Sequence, residues 1–116
     1  MSKLIRPLPL GKVRLRNRLV MPPMATEKAA EQGRVSDALC RYYDEKTKGG
    51  YFGLVVAEHS YINEEGQASK GQVSFSCDDD VPGLRKLVSV VHRNGSKIIA
   101  QINHAGGKAI SVLGVP

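Results

Sequence analysis

Lys97-Ile98-Ile99-Ala100-Gln101-Ile102, running on into Asn103-His104-Ala105-Gly106-Gly107-Lys108, is the stretch that decides the fold of this chain. An apolar run opens after the breaker pair Asn94-Gly95 and closes in amide, imidazole and glycine groups. Its shortness and its breakers read as a strand buried on both faces, with polar chemistry gathered at one end. The same grammar occurs twice upstream. Leu19-Val20-Met21 runs into Pro22-Pro23-Met24-Ala25-Thr26, and Gly53-Leu54-Val55-Val56-Ala57 runs into Glu58-His59-Ser60.

Helical periodicity fills the intervals between these runs. After Pro82, the apolar residues Leu84, Leu87, Val88 and Val91 recur on one helical face, with Arg85, Lys86 and Ser89 on the other. Asp80 is the expected N-cap, Pro82 falls early in the first turn, and Asn94-Gly95 is the stop. A second helix is expected from the capping residue Ser36 through Leu39 and Tyr43 to Lys48, ending at Gly49-Gly50. The order strand, helix, strand, helix, strand implies an α/β fold of parallel strands with right-handed crossovers. Ligand groups in such folds collect at the carboxyl ends of the strands, whether the sheet is open or closed into a barrel.

Ahead of the first buried strand, residues 12–19 alternate charged and apolar side chains. This suits a half-exposed strand paired with Leu4 to Leu8 across Pro9-Leu10-Gly11, a leading β-hairpin within residues 1–18. Residues 19–116 then hold the first three βα units, incomplete, of a single domain. A closed eight-unit barrel requires about 250 residues. At 116 residues this chain reads as the front of something longer.

Hydrophobic residues make up 41% of the chain, which places it among globular rather than disordered sequences. No apolar run approaches the roughly 20 residues of a membrane span, and the N-terminus lacks a signal-peptide core, so no membrane partner and a cytoplasmic location are expected. Cys40 and Cys77 stand apart with no C-x-x-C spacing, the pattern of free thiols in a reducing compartment, and no metal site is expected. The net charge of +6 invites a nucleic-acid reading, because Lys3, Arg6, Lys12, Arg14, Arg16 and Arg18 crowd the N-terminus. Their alternation with apolar residues marks a solvated strand face instead. No aromatic interleaving, recognition-helix pattern or zinc ligand set accompanies them, and nucleic-acid binding is set aside.

Several ordered motifs carry a resemblance. They are Asn17-Arg18-Leu19-Val20-Met21-Pro22-Pro23-Met24, Gly33-x-Val35-Ser36, Tyr43, Gly49-Gly50, Gly53-Leu54-Val55-Val56-Ala57-Glu58, His92, and Gln101-x-x-His104-Ala105-Gly106. From Leu4 to Lys108 the chain resembles the N-terminal third of the old yellow enzymes, FMN-dependent NAD(P)H oxidoreductases built on a (β/α)8 TIM barrel. The resemblance implies the N-terminal part of such a barrel, with about three of its eight strands present. It implies FMN as cofactor, NAD(P)H as electron donor, and hydride transfer through flavin N5 to an electron-poor alkene. Pro22, Pro23, Met24 and Ala25 would lie along the flavin ring, His59 would touch it, and Gln101 would hydrogen-bond its pyrimidine edge. Gln offers both a donor and an acceptor to the polar ring atoms, and consecutive prolines give a stiff wall with no N–H to satisfy.

Each assignment has a plainer rival. Gln101 could satisfy a neighbouring loop, His59 could be a half-exposed loop residue, and Met24 could be core packing. His104, with no carboxylate or second histidine at ligand spacing, reads as a structural residue of the third loop. Tyr42 and Tyr43 read as helix packing, and Glu58 as a structural anchor of the barrel mouth whose partner the basic residues of this chain, or later parts of a longer one, would supply. Two positions depart from the family pattern: Ala25 replaces the Cys or Thr that tunes the flavin in many relatives, and Gly107 replaces the Arg of His-Ala-Gly-Arg. The family's substrate-binding His pair or His-Asn, its proton-donating Tyr and its flavin-phosphate loops come from later strands, so the catalytic residues of this chain are unknown. The alternative expectation is a truncated or split, catalytically inactive fragment that self-associates or pairs with a complementing barrel half.

Overall fold

The computed structural model describes residues 2–110. The leading hairpin pairs β1 (Leu8–Leu10) with β2 (Val13–Leu15) antiparallel, in the register Leu8 to Leu15 and Leu10 to Val13. Its turn therefore falls at Gly11-Lys12 rather than across Pro9-Leu10-Gly11, and Leu4 and Ile5 lie in a single 3-10 turn, not in a strand. The reason is local. Gly11 has φ +59 at the first position of a two-residue loop, where a II′ turn requires glycine. Pro9 is tolerated in β1 because the two-stranded ribbon leaves an edge where its missing N–H costs no hydrogen bond.

The alternation expected from the sequence then follows in order: β3 (Val20–Met21), α1 (Asp37–Thr47), β4 (Leu54–Tyr61), a two-residue β5 (Val73–Ser74), α2 (Val81–Arg93) and β6 (Lys97–Asn103). All pairings in this second sheet are parallel. β4 is its spine, with β6 along one side and both β3 and β5 on the other, β3 at its beginning and β5 at its end. Met21, Val55 and Ile98 are in register across the three long-range strands and face the helices, where Leu39, Tyr43, Leu87, Val90 and Val91 complete the core. Residues one step along, Val20 and Ile99, lie on the opposite face and are exposed.

β6 is not buried on both faces. Ile99 is 51% and Ile102 67% exposed, because α2 covers one face of the strand, chiefly at Ile98, and only one of its edges is paired among the described residues. The apolar composition that reads as double burial belongs to a strand that needs more covering than these residues give it.

Both helices end where Gly49-Gly50 and Asn94-Gly95 predict. Ser36 caps α1, its Oγ accepting from the Leu39 amide at 3.0 Å. Asp80 departs from the expected N-cap role: it is itself helical, and its buried carboxylate reaches backward to the amides of Ser76 (2.9 Å) and Cys77 (3.1 Å) and the Ser74 hydroxyl (2.7 Å). A 3-10 turn, Asp78–Asp80, leads directly into α2, and Arg34 pairs with the same carboxylate. The helices are laced together by the exposed pairs Lys86–Asp37 and Arg93–Asp44 and by Asn94, whose amide donates to Asp44 Oδ1 and Thr47 Oγ1, both at 2.9 Å. At the strand floor, Asn17 donates to the Tyr51 carbonyl at 2.9 Å and accepts from the Leu19 amide at 3.0 Å. A Cβ on Gly53 would collide with the Asn17 carbonyl, so only glycine admits this clamp.

Val91 is fully buried in α2, at the end of the core nearest that floor. We expect Val91→Ala to cost about 1–3 kcal/mol, from two lost methyl groups plus the cavity they leave. Ile102→Ala should stay within about 0.5 kcal/mol. Urea unfolding followed by circular dichroism checks both.

Candidate functional site

A single irregularity organises the carboxyl ends of the strands. Between Val56 opposite Ile99 and His59 opposite Gln101, β4 advances three residues while β6 advances two. This β-bulge shifts the alternation of β4 by one. Val55 and Ala57 are buried before it, and Glu58 and Ser60 after it. His59 is thereby left on the face opposite the helices, beside Gln101. Without the bulge, the strict period of two would have sent His59 into the helix layer.

Glu58, 2% exposed, is the group that the bulge turns inward. Its carboxylate accepts from the Thr26 hydroxyl at 2.9 and 3.1 Å, from the Thr26 amide at 3.3 Å and from the Tyr43 phenol at 3.2 Å. Its own amide donates to the Tyr43 oxygen at 2.9 Å. Among the described residues the partners are therefore hydroxyls and an amide rather than a basic residue, and Tyr43 is more than helix packing. Burial pushes the Glu58 carboxyl above the usual carboxylate range, against the pull of the hydrogen bonds from Thr26 and Tyr43. Burial likewise raises the Tyr43 phenol, which stays protonated as a donor.

The Thr26 bond fixes the loop that leaves β3. In that loop Pro22, Met24 and Ala25 are exposed and Pro23 is half-buried. Met24, 45% exposed, does not serve the core. The six residues singled out in the sequence thus stand at the carboxyl ends of three adjacent strands: Pro22 to Ala25 after β3, His59 in β4, and Gln101 in β6. Gln101 is exposed, and among the described residues no hydrogen bond engages its amide. Chemically this is an apolar shelf bordered by one free amide and one half-buried imidazole. Among the described residues, no three His, Cys, Asp or Glu side chains gather as a metal site, and no helix is long and apolar enough to cross a membrane.

Neighbouring polar residues are structural. His104 accepts from the Gly106 amide through Nδ1 at 3.1 Å and lies against Gly66, where a Cβ would strike its ring. Gln72, buried, accepts from the Ala68 amide and donates to Asn103 at 3.2 Å, tying the β6 end to the loop before β5. Cys40 and Cys77 are free. Sequence reading missed Thr26, though a hydroxyl following the Pro-Met segment was its signal. It also missed the bulge, whose trace is the polar run Glu58-His59-Ser60 entering a strand that is otherwise apolar.

Comparison with known proteins places the chain in a family. The family model described as NADH:flavin oxidoreductase / NADH oxidase matches residues 3–113. An NADH oxidase of Thermoanaerobacter brockii is 40% identical over 98 residues, 84% of this chain and 15% of that protein. An NADPH dehydrogenase of Listeria monocytogenes is 37% identical over 111 residues, 95% of this chain and 32% of that one. The crystal structure of the old yellow enzyme from Pichia sp. AKU4542 superposes with a TM-score of 0.85 at 26% identity, covering 93% of this chain and 28% of its own. The chain therefore spans a third or less of the length of these relatives.

The raised Glu58 carboxyl predicts a pH effect of definite sign. A folded value above the unfolded one means the folded state binds the extra proton, so stability rises as pH falls from the raised value toward the ordinary carboxylate range. Asp37, held low by Lys86, and Asp44, held low by Asn94, act oppositely but cancel when wild type is compared with Glu58→Gln. The melting temperature of wild type relative to Glu58→Gln should therefore climb as pH falls from neutral toward the ordinary carboxylate range. Parallel melting curves across that range would contradict it.

Proposed function

Because the chain belongs to the NADH:flavin oxidoreductase / NADH oxidase family and folds as the N-terminal part of an old yellow enzyme (β/α)8 barrel, we propose that it forms one wall of an FMN site in an NAD(P)H oxidoreductase. Within that reading, residues 1–18 carry the leading hairpin and residues 19–116 the first βα units of a single FMN-binding domain, of which residues 1 and 111–116 lie outside the described residues. The observation that carries the reading is the shared face of His59 and Gln101, adjacent across β4 and β6, beside the exposed Pro22-to-Ala25 segment.

The residues fit a flat heteroaromatic ring bearing amide-like edges. Gln101 offers an N–H donor and a carbonyl acceptor from one unengaged side chain at a strand end, where both can meet the pyrimidine edge. Pro22 and Pro23 present a wall whose backbone carries no N–H to desolvate, and Met24 adds a polarizable apolar surface. His59, half-buried on the same face, closes the side toward β4. When bound, FMN would supply hydride transfer through its N5 from NAD(P)H to an electron-poor alkene such as an α,β-unsaturated carbonyl. The residues of this chain orient the ring and exclude water from one of its sides. Two free thiols agree with a cytoplasmic setting.

A second reading has its own observation. The exposed Val20, Ile99 and Ile102, with one unpaired edge of β6 among the described residues, favour association of the 116-residue chain with itself or with a complementing barrel half, without activity on its own.

Titration of FMN into the purified chain, followed by flavin fluorescence with native mass spectrometry on the same samples, tests both. Saturable quenching is expected, with Gln101→Ala weakening it about tenfold, the scale of one lost hydrogen bond with a desolvated partner. No quenching, with dimers or larger species in the mass spectrum, would overturn the flavin wall for this chain and leave the second reading.

A further inference from the structure

Resting on the flavin-wall reading, we propose that Glu58 and Thr26 form a positioning pair: from behind the sheet, the Glu58 carboxylate holds the Pro22-to-Ala25 segment in the orientation that a flavin ring requires. The geometry makes the case. Residues 22–26 leave β3 without regular structure, and prolines at 22 and 23 remove two backbone donors that could have tied the segment to β4. The next residue able to anchor the loop with a side chain is Thr26. Its amide and its hydroxyl both donate to Glu58, at 3.3 Å and at 2.9 and 3.1 Å, so one side chain fixes the far end of the exposed segment at two points.

The carboxylate is itself immobile. The Tyr43 phenol donates to it at 3.2 Å and accepts from the Glu58 amide at 2.9 Å, while Tyr43 is fully buried in the core beneath α1. Thr26 Oγ1 also accepts from the Lys28 amide at 3.3 Å, which continues the restraint past the loop. The bulge that delivers Glu58 to the helix side is the same one that delivers His59 to the flavin side. A single backbone feature therefore sets two walls of the site, one by orienting a side chain and one by anchoring a loop. Neither Glu58 nor Thr26 touches the ring in this arrangement, since both side chains are spent on the helix side of the sheet.

The test compares FMN affinity of the full 116-residue chain with three variants. Thr26→Val keeps the shape and loses the hydroxyl, Thr26→Ser keeps the hydroxyl, and Val91→Ala weakens the core at the far end of the strands. We expect the FMN dissociation constant to rise about tenfold in Thr26→Val, as for loss of a hydrogen bond to a charged group, and to stay within about twofold of wild type in Thr26→Ser and Val91→Ala. Equal affinity of Thr26→Val and wild type, or an equal loss in Val91→Ala, overturns the positioning role and leaves the flavin wall standing. A wild-type chain that does not bind FMN overturns both. Should Thr26→Val not fold, Glu58→Gln takes its place, because an amide whose oxygen stays with Tyr43 turns its N–H donors toward the Thr26 backbone amide, which can only donate, and so breaks one of the two anchoring points.

Discussion

A carboxylate sealed inside the molecule constrains everything around it. Glu58 lies between the sheet and the helices with 2% of its surface exposed, and a carboxylate taken out of water must find its hydrogen bonds within reach or take up a proton. The structure meets the first condition with neutral donors from two different elements, the Tyr43 phenol of α1 and the amide and hydroxyl of Thr26 beyond β3. It meets the second in part, since the carboxyl is biased toward its protonated form. The register of β4, the depth of α1 and the path of the loop after β3 are thus linked through one side chain. Removing a single partner would leave the others buried around an unsatisfied group, which makes the cluster cooperative rather than a sum of separate bonds.

Much of the fold was legible because its signals are periodic. The apolar spacing of Leu84, Leu87 and Val91 and the stops at Gly49-Gly50 and Asn94-Gly95 fixed both helices within a residue or two, and the apolar runs placed the three parallel strands. What escaped was aperiodic. The extra residue at Ala57-Glu58 shows only as the polar run Glu58-His59-Ser60, which has no period, and β5 is two residues whose pairing depends on the end of β4 being available. The hairpin turn was misplaced by two positions because Pro9 is the louder turn residue, while the deciding requirement was the positive φ that Gly11 alone could take. For β6, composition spoke for burial that the described residues do not provide. The six candidate residues were singled out through motifs, and they stand at the carboxyl ends of β3, β4 and β6. The Thr26–Glu58 anchor behind them needed coordinates, because no spacing rule relates two residues so far apart in sequence.

The basic residues of the N-terminus find their explanation at the opposite end of the strands. Arg16 donates to the Asn94 carbonyl at 3.4 Å, and its guanidinium lies against Gly50 and Gly95, the glycines that follow α1 and α2. Both helices end there, so their unpaired carbonyls and the negative ends of their dipoles face a cation. A Cβ on either glycine would collide with that guanidinium, so the stop signals of the helices also make room for the arginine. Lys12, Arg14, His92 and Lys97 border a cavity between hairpin and sheet at this same floor. Arg16, Lys12, Arg14 and Lys97 thus lie on the face where parallel α/β folds keep stability, away from the carboxyl ends where they keep chemistry.

That division bears on Ala25. Under the flavin-wall reading, the position that carries a thiol or hydroxyl in many relatives carries a methyl here, and the nearest hydroxyl, that of Thr26, is turned to Glu58 at 2.9 Å. A hydroxyl that donates to a carboxylate on the helix side cannot donate to a ring on the other side of the sheet. The loop's polar capacity is thus used for its own placement, and the side chains of the shelf it presents are apolar from Pro22 to Ala25. Electrostatic control of the ring would then rest on Gln101 and His59, the two polar side chains that the β4 bulge brings side by side. A change at Gln101 in this chain should accordingly weigh more heavily than in a relative whose Pro-Met segment supplies a donor, because no second group in the loop shares the task.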